Sequence, residues 1–253
     1  MGRMKQRREQ IVELVNSEGA VSFAKLKTTF PEVSEMTLRN DLKFLDQTRQ
    51  IVRVYGGAKS VEVVIGTDDL FYKRNTRNIE RKRQITEKAI KLLHPGTSVF
   101  LDSGTTTTEL ARVFPDESYL IFTGGISCAL ELAHLTQSQI HILGGQMNRF
   151  SLSVNGISSV KAIENVNFNI AFLGVTGYSQ ETGFNCGVED ENELKKAIIR
   201  KSEKVVALMD SEKVGIVNTF TFATLKDIDV VISDDDLDPD TKKVFQSNGI
   251  EVL

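Results

Sequence analysis

The period of the apolar positions changes along this chain. Over the first fifty residues it is helical. Ile11, Leu14 and Val15 fall at i, i+3 and i+4, Phe23, Leu26 and Phe30 follow, and Leu38, Leu42 and Leu45 fall at i, i+4 and i+7. Each set is a stripe that one helix face would bury. Glu18-Gly19 stops the first helix, and Ser22 and Ser34 stand as N-caps of the second and third. Pro31 ends the second, because the residue before a proline avoids helical backbone. After Gln50 the pattern becomes that of strands, Ile51 to Tyr55 and Ala58 to Ile65, with Gly56-Gly57 between them. A Gly-Gly pair there predicts a two-residue hairpin turn at positive φ. Three helices and a hairpin make a winged helix-turn-helix over residues 1–65.

Residues 66–73 begin with the polar Gly66-Thr67-Asp68-Asp69 and are expected to be a linker. Arg74 to Leu93 predicts one long charged helix, with Arg74, Asn78 and Lys82 sharing a face at spacings of four. From Pro95 onward apolar runs alternate with helical patterns. Strands are expected at Thr97–Asp102, Tyr119–Thr123, Ile140–Leu143, Ile170–Gly174, Lys204–Met209, Val230–Ser233 and Ile250–Leu253. Helices are expected at Thr106–Phe114, Ile126–Leu135, Ser158–Asn165, Glu191–Ser202 and Pro239–Asn248. That alternation predicts a three-layer α/β domain over 74–253, with a parallel sheet and right-handed crossovers.

Charge sharpens the division. Residues 1–60 hold 11 Lys+Arg against 7 Asp+Glu, a balance of +4, and the remainder carries −7, giving the net −3. A basic head on an acidic body points to a polyanion partner for the head. At 100° per residue, Met36, Arg39, Asn40 and Lys43 lie opposite the apolar stripe of the third helix. Arg39 suits guanine, Asn40 adenine and Lys43 a phosphate. Ser34 and Thr37 at the helix start, with Arg53 and Lys59 on the wing, complete the candidate DNA-contacting set. The plainer alternative is a solvated face on a protein-binding module.

In the body the most informative stretch is Val99 to Leu110. It runs from an apolar strand through Asp102-Ser103-Gly104 into Thr105-Thr106-Thr107-Thr108. A glycine turn opening a helix leaves unpaired N–H groups at the positive dipole end, which suits a phosphate. Glycines and polar residues collect after other strands too, at Thr123-Gly124-Gly125, Gly144-Gly145 and Gly174 to Gly177, and at Asp210 to Lys213. Open α/β sheets bind ligands at these carboxyl ends. Asp102 and Asp210 could accept from sugar hydroxyls, and Lys195 and Lys213 could pair with a phosphate. Taken singly, each loop is an ordinary turn.

Other classes are disfavoured. Cys128 and Cys186 are far apart, and neither they nor His94, His134 and His141 have metal-ligand spacing, so no metal is expected. The charged N-terminus lacks an apolar signal core, and no run nears the ~20 apolar residues that span a bilayer. A cytoplasmic protein is expected. Gly-x-Gly-x-x-Gly and Walker patterns are missing, so no nucleotide cofactor is expected.

Val33 to Leu42 with Arg39, followed by Arg53-Val54-Tyr55-Gly56-Gly57-Ala58, resembles the signature of the DeoR family of bacterial transcription regulators. The resemblance continues through Lys82, Phe100-Leu101-Asp102-Ser103-Gly104-Thr105-Thr106, Gly144-Gly145, Phe172-Leu173-Gly174, Lys195-Lys196-Ala197 and Asp210-Ser211-Glu212-Lys213. It implies a body similar in fold to phosphosugar isomerases that binds a phosphorylated sugar as effector. Ser103 to Thr106 would hold the phosphate, and Lys82, Asp210, Lys213 and Lys195 would serve recognition or response. The loop Thr123-Gly124-Gly125 departs from the family's usual Thr-Asn-Ser. The implied protein is a repressor, a dimer or tetramer on double-stranded operator DNA, and not an enzyme. The competing expectation is an active phosphosugar isomerase carrying a DNA-binding head, for which the rim loops show no clear Glu/His acid–base pair.

Overall fold

The three N-terminal stripes fold as α1 (Gly2–Glu18), α2 (Phe23–Thr29) and α3 (Glu35–Gln47). The structure is a computed structural model describing residues 2–61 and 71–253, in two units, Met1–Leu70 and Phe71–Leu253. Ser22 accepts from the Lys25 amide at the start of α2, and Ser34 accepts from the Thr37 amide at the start of α3. Each satisfies an amide that the helix leaves open. The stripes meet in one core, where Ile11, Val15, Leu26, Leu38, Leu42 and Leu45 are buried.

The wing is β2 (Val52–Val54) paired with β3 (Gly57–Lys59). A three-residue strand, β1 (Ala20–Ser22), pairs with the other side of β3. The hairpin differs from expectation. Val54 pairs with Gly57, so the loop is Tyr55-Gly56 rather than Gly56-Gly57. Of those glycines only Gly56 takes a positive φ, +82°. Gly57 is needed for another reason: a Cβ there would stand 2.2 Å from the Val21 carbonyl oxygen of β1. Strand β3 ends at Lys59, and the rest of the expected strand, residues 62–65, lies outside the described residues. So does most of the expected linker, since 71–73 already belong to α4 (Phe71–Thr76).

The long helix expected over Arg74–Leu93 is broken. Helix α4 stops at Thr76 and α5 (Ile79–Ala89) follows. Asn78 sits between them at φ 55°, in the left-handed region that asparagine tolerates better than most residues. Arg74, Asn78 and Lys82 therefore do not share one helix face.

All seven strands predicted by the alternation are present, their ends shifted by a residue or two. They are β4 (Ser98–Leu101), β5 (Leu120–Thr123), β6 (Gln139–Ile142), β9 (Phe168–Gly174), β12 (Ser202–Leu208), β14 (Val230–Ile232) and β15 (Glu251–Val252). They form one parallel sheet in the order β15-β14-β12-β9-β4-β5-β6. Successive side chains of β4 enter opposite cores, as a strand covered on both faces requires. Val99 and Leu101 pack with α5, α6 (Thr105–Arg112) and α7 (Ile126–Leu132). Phe100 packs on the other face, with α9 (Glu189–Ile199) and α10 (Pro239–Ser247). The domain thus has three layers.

Sequence patterning missed two small antiparallel additions. One is the ribbon β7 (Gln146–Asn148) and β8 (Ser153–Asn155), joined to α8 (Ile157–Ala162). The other is the sheet of β10 (Gly177–Ser179), β11 (Gly183–Cys186) and β13 (Phe220–Ala223). Strands β8 and β11 are buried throughout, so they have neither length nor alternation to signal them.

Candidate functional site

On the head, Met36, Arg39, Asn40 and Lys43 are all exposed, as the helical wheel requires, and Arg53 and Lys59 are exposed on the wing. The Arg39 guanidinium lies over the Phe23 ring, 4.4 Å from its centroid. Phe23, Arg39, Leu42, Arg53, Tyr55 and Gly56 line a groove of about 400 Å³ between α3 and the wing. The Phe23 amide donates to the Gly56 carbonyl at 2.7 Å, which ties the tip of the wing to α2. Ser34 and Thr37 are already engaged with each other, their hydroxyls 2.8 Å apart. Their local role is to cap α3.

Asp41 carries a role that the sequence did not reveal. It is buried on α3 and accepts from Arg7 Nε and Arg8 Nε of α1, each at 2.7 Å. Helix α3 is thereby held to α1 by two charge-assisted bonds. An acidic residue amid the leucines of a buried stripe was the available signal.

In the second unit, strand order reverses between β4 and β9. Chain order runs outward from β4 through β5 to β6, then returns to β9 on the other side of β4. Such a switch point opens a crevice at the carboxyl ends of its two strands. Asp102 closes β4 there. Its Oδ2 accepts from the Gly174 amide at the end of β9, at 2.9 Å, and from Lys195 Nζ of α9. Lys195 Nζ also donates to the Gly174 carbonyl at 2.8 Å. Burial pushes the Lys195 ammonium down more than any single neighbour raises it, but Asp102, Cys186 and Glu191 together hold the group above its ordinary value.

Ser103 and Gly104 follow Asp102. Gly104 is the N-cap of α6 at φ 157° and ψ 170°, backbone essentially confined to glycine, and no side chain caps the helix. Ser103 and Thr106 are half-buried, and Thr105 is buried. Thr107 and Thr108 point inward, donating to the Gly104 carbonyl at 3.1 and 2.6 Å. The threonine run therefore divides: its second half braces the turn and its first half borders the open N-terminus.

At the end of β5, the Thr123 hydroxyl accepts from the Gly125 amide at 2.9 Å. Gly124 and Gly125 lie against β8: a Cβ on Gly124 would come 2.9 Å from the Val154 carbonyl, and one on Gly125 3.1 Å from Ser103 Cα. Gly145, beyond β6, is closed in similarly by Asn155 and Ser159, whereas a Cβ on Gly144 would meet open space. A polar cluster adjoins this part of the rim. Ser153 is paired with Gly125, donates to Glu191 Oε1 at 3.0 Å and accepts from Asn155 Nδ2 at 2.8 Å. Sequence reasoning passed over Glu191, Ser153 and Asn155. The signal for Glu191 was its place one turn before Lys195 on the same helix.

Beyond β12, Asp210 is buried and its Oδ1 has no hydrogen-bond partner. Strand β9 alone separates β12 from β4, so Asp210 and Asp102 close strands about 10 Å apart. Lys213 is half-buried in the same loop. Lys82 of α5 is buried and feels both Asp210 and Lys213. Its pKa is pushed down to about 8, chiefly by burial, with Asp210 opposing. Its ammonium donates to the Arg74 carbonyl and to the Arg77 carbonyl at 2.6 Å, and so finishes the end of α4. Glu212, between Asp210 and Lys213, grips the same turn. It accepts from Arg77 Nη2 at 2.8 Å and Asn78 Nδ2 at 2.9 Å, and it forms an ion pair with Arg81, whose Nη1 stands 3.0 Å from Glu212 Oε1.

A winged helix with exposed basic groups on its third helix, followed by an α/β unit with an uncapped helix start at its switch point, defines a DNA-binding regulator with a separate sensor. Residues 7–64 match the DeoR-like helix-turn-helix domain, and residues 77–235 match the DeoR C terminal sensor domain. The chain belongs to the DeoR family and is a transcription regulator. It is 33% identical over 249 residues to the HTH-type transcriptional regulator GlpR of Haloferax volcanii, covering 98% of this chain and 96% of that one. It is 30% identical to the HTH-type transcriptional regulator GolR of Listeria innocua, over 98% and 97% of the two chains. Among solved structures it is similar to ribose 5-phosphate isomerase A from Methanocaldococcus jannaschii, with a TM-score of 0.40, 14% identity, and coverage of 54% and 55%.

Proposed function

We propose that this regulator is a repressor of sugar-metabolism genes whose operator affinity is set by a phosphorylated sugar bound at the switch point of the second unit. The observation that carries this reading is the uncapped start of α6 at Ser103-Gly104, with β9 alone between its strand and that of buried Asp210, whose Oδ1 has no hydrogen-bond partner. The first supplies N–H donors to an anion. The second needs a donor, and a sugar hydroxyl is one. Lys213 and Lys82 add positive charge near Asp210, and Gly124, Gly125 and Lys195 shape the remaining wall. The protein works in the cytoplasm as a homo-oligomer, dimer or tetramer, on double-stranded DNA.

The body acts as a sensor rather than an isomerase. Lys195 is committed to Asp102 and Gly174, which leaves Asp102 without the freedom a proton-transferring base requires. An effector controls DNA binding only by binding the two states unequally.

The test is a thermal-shift screen of phosphorylated sugars against their unphosphorylated counterparts. A ligand at 100 times its Kd adds roughly 2.7 kcal/mol, which raises Tm by about 5–10 °C for a unit of this size. A shift confined to one phosphorylated sugar, and lost in Ser103→Asp, is the expected result. Shifts equal for sugar and sugar phosphate refute the phosphate site, and turnover of the ligand refutes the sensor reading.

A further inference from the structure

The two edges of the seven-stranded sheet are treated differently. β15 spans two residues and carries Glu251, paired with Lys204 at 3.8 Å. A short, charged edge is a standard defence against strand addition. The other edge, β6, is Gln139-Ile140-His141-Ile142 and has no such defence. Gln139 and Leu143 donate their amides to Tyr119 and Thr123 on the β5 side. By the two-residue alternation of a strand, Ile140 and Ile142 turn their main-chain groups outward. Among the described residues no strand pairs with that side.

Exposed apolar side chains flank β6. Ile142 is 56% exposed, Met147 49% and Ile157 76%. These residues gather about one turn, because Ser159 of α8 donates to the Gly144 carbonyl at 2.7 Å. From Leu132 to Asn148 there are seventeen consecutive residues without Asp, Glu, Lys or Arg, in a chain that is 26% charged. Residues 61–253 together carry −7, so two copies of the body repel each other on average. Along this stretch they do not. An isologous contact also needs a surface that complements itself, and an uncharged strand with open donors and acceptors does so when paired antiparallel about a two-fold axis.

We propose that β6 is an interface for a second copy of this chain, the two β6 strands pairing antiparallel so that the parallel sheet continues from one protomer into its partner. Ile142, Met147 and Ile157 are covered at the junction. The inference is independent of what the rim binds.

Sedimentation velocity and light scattering on the full chain, over a hundredfold range of concentration, test it. Wild type is expected as a dimer or tetramer, and Ile142→Lys is expected to halve the mass. Gln139→Lys, at a more polar position, is expected to do the same. Circular dichroism and Tm separate dissociation from misfolding. A wild-type protein monomeric at every concentration overturns the proposal. So do folded Ile142→Lys and Gln139→Lys variants that keep the wild-type mass, which would place the contact elsewhere.

Discussion

Lys195→Met isolates the bond that closes the switch point. The Lys195 and Asp102 side chains are 6% and 5% exposed, so water cannot replace either partner. Removing the ammonium leaves a buried carboxylate whose described donor is the Gly174 amide. Breaking a buried pair at one partner destabilises by about 3–5 kcal/mol, and the surviving backbone bond places this case near ~3 kcal/mol. At about 2–4 °C per kcal/mol, Tm of the second unit should fall by roughly 6–12 °C. The double variant Asp102→Asn/Lys195→Met removes the stranded charge while the asparagine carbonyl still accepts from Gly174. It should recover at least half of the loss. Differential scanning calorimetry of the full chain is the assay. A single variant that loses less than about 1 kcal/mol, or a double variant no more stable than the single, refutes the reasoning: Lys195 would then not be neutralising Asp102.

Three further outcomes are expected. Gly57→Ala should unfold the first unit, because its Cβ would meet the Val21 oxygen at 2.2 Å, while Gly144→Ala, with open space around it, should leave Tm within about 1 °C; calorimetry distinguishes them. Arg39→Ala should weaken operator binding by about 1–3 kcal/mol without altering effector affinity, whereas Ser103→Asp should do the reverse, read by fluorescence anisotropy and titration calorimetry. Burial holds Lys82 near 8 rather than 10.5, so its penalty acts below pH 8 and is relieved as pH rises toward 10.5. A phosphate bound beside it would raise that pKa, so binding at pH 8 should take up about half a proton, and calorimetry in buffers of differing ionisation enthalpy should detect it, as Lys82→Met should not.

The parallel sheet was legible because its strands are runs of Val, Ile, Leu and Phe with helical periods between them. The head was legible because three amphipathic stripes and two serine caps agree with one another. The small strands were not. β7, β8, β10 and β11 are three or four residues long, too short for a period to show. The break at Arg77-Asn78 was hidden because Asn78 enters the left-handed region without a glycine or proline to announce it, and because Glu212, distant in sequence, holds the turn. Of the site, the glycine-threonine turn could be read from local sequence. The Asp102–Lys195 pair and the lone oxygen of Asp210 could not, since each depends on which strands become neighbours.

The bonds of Asp102 also set an order of events. It meets the Gly174 amide across 72 residues and the Lys195 ammonium across 93. Contacts this distant in sequence are made only after large loops have closed, so they come late in folding. A chain emerging from the ribosome has made its DNA-binding head, and then half of the sheet, before Lys195 has been synthesised. For that interval the head is complete and the crevice does not exist. With the effector site proposed at that crevice, a nascent chain of this regulator has a finished head before it has anything to sense with.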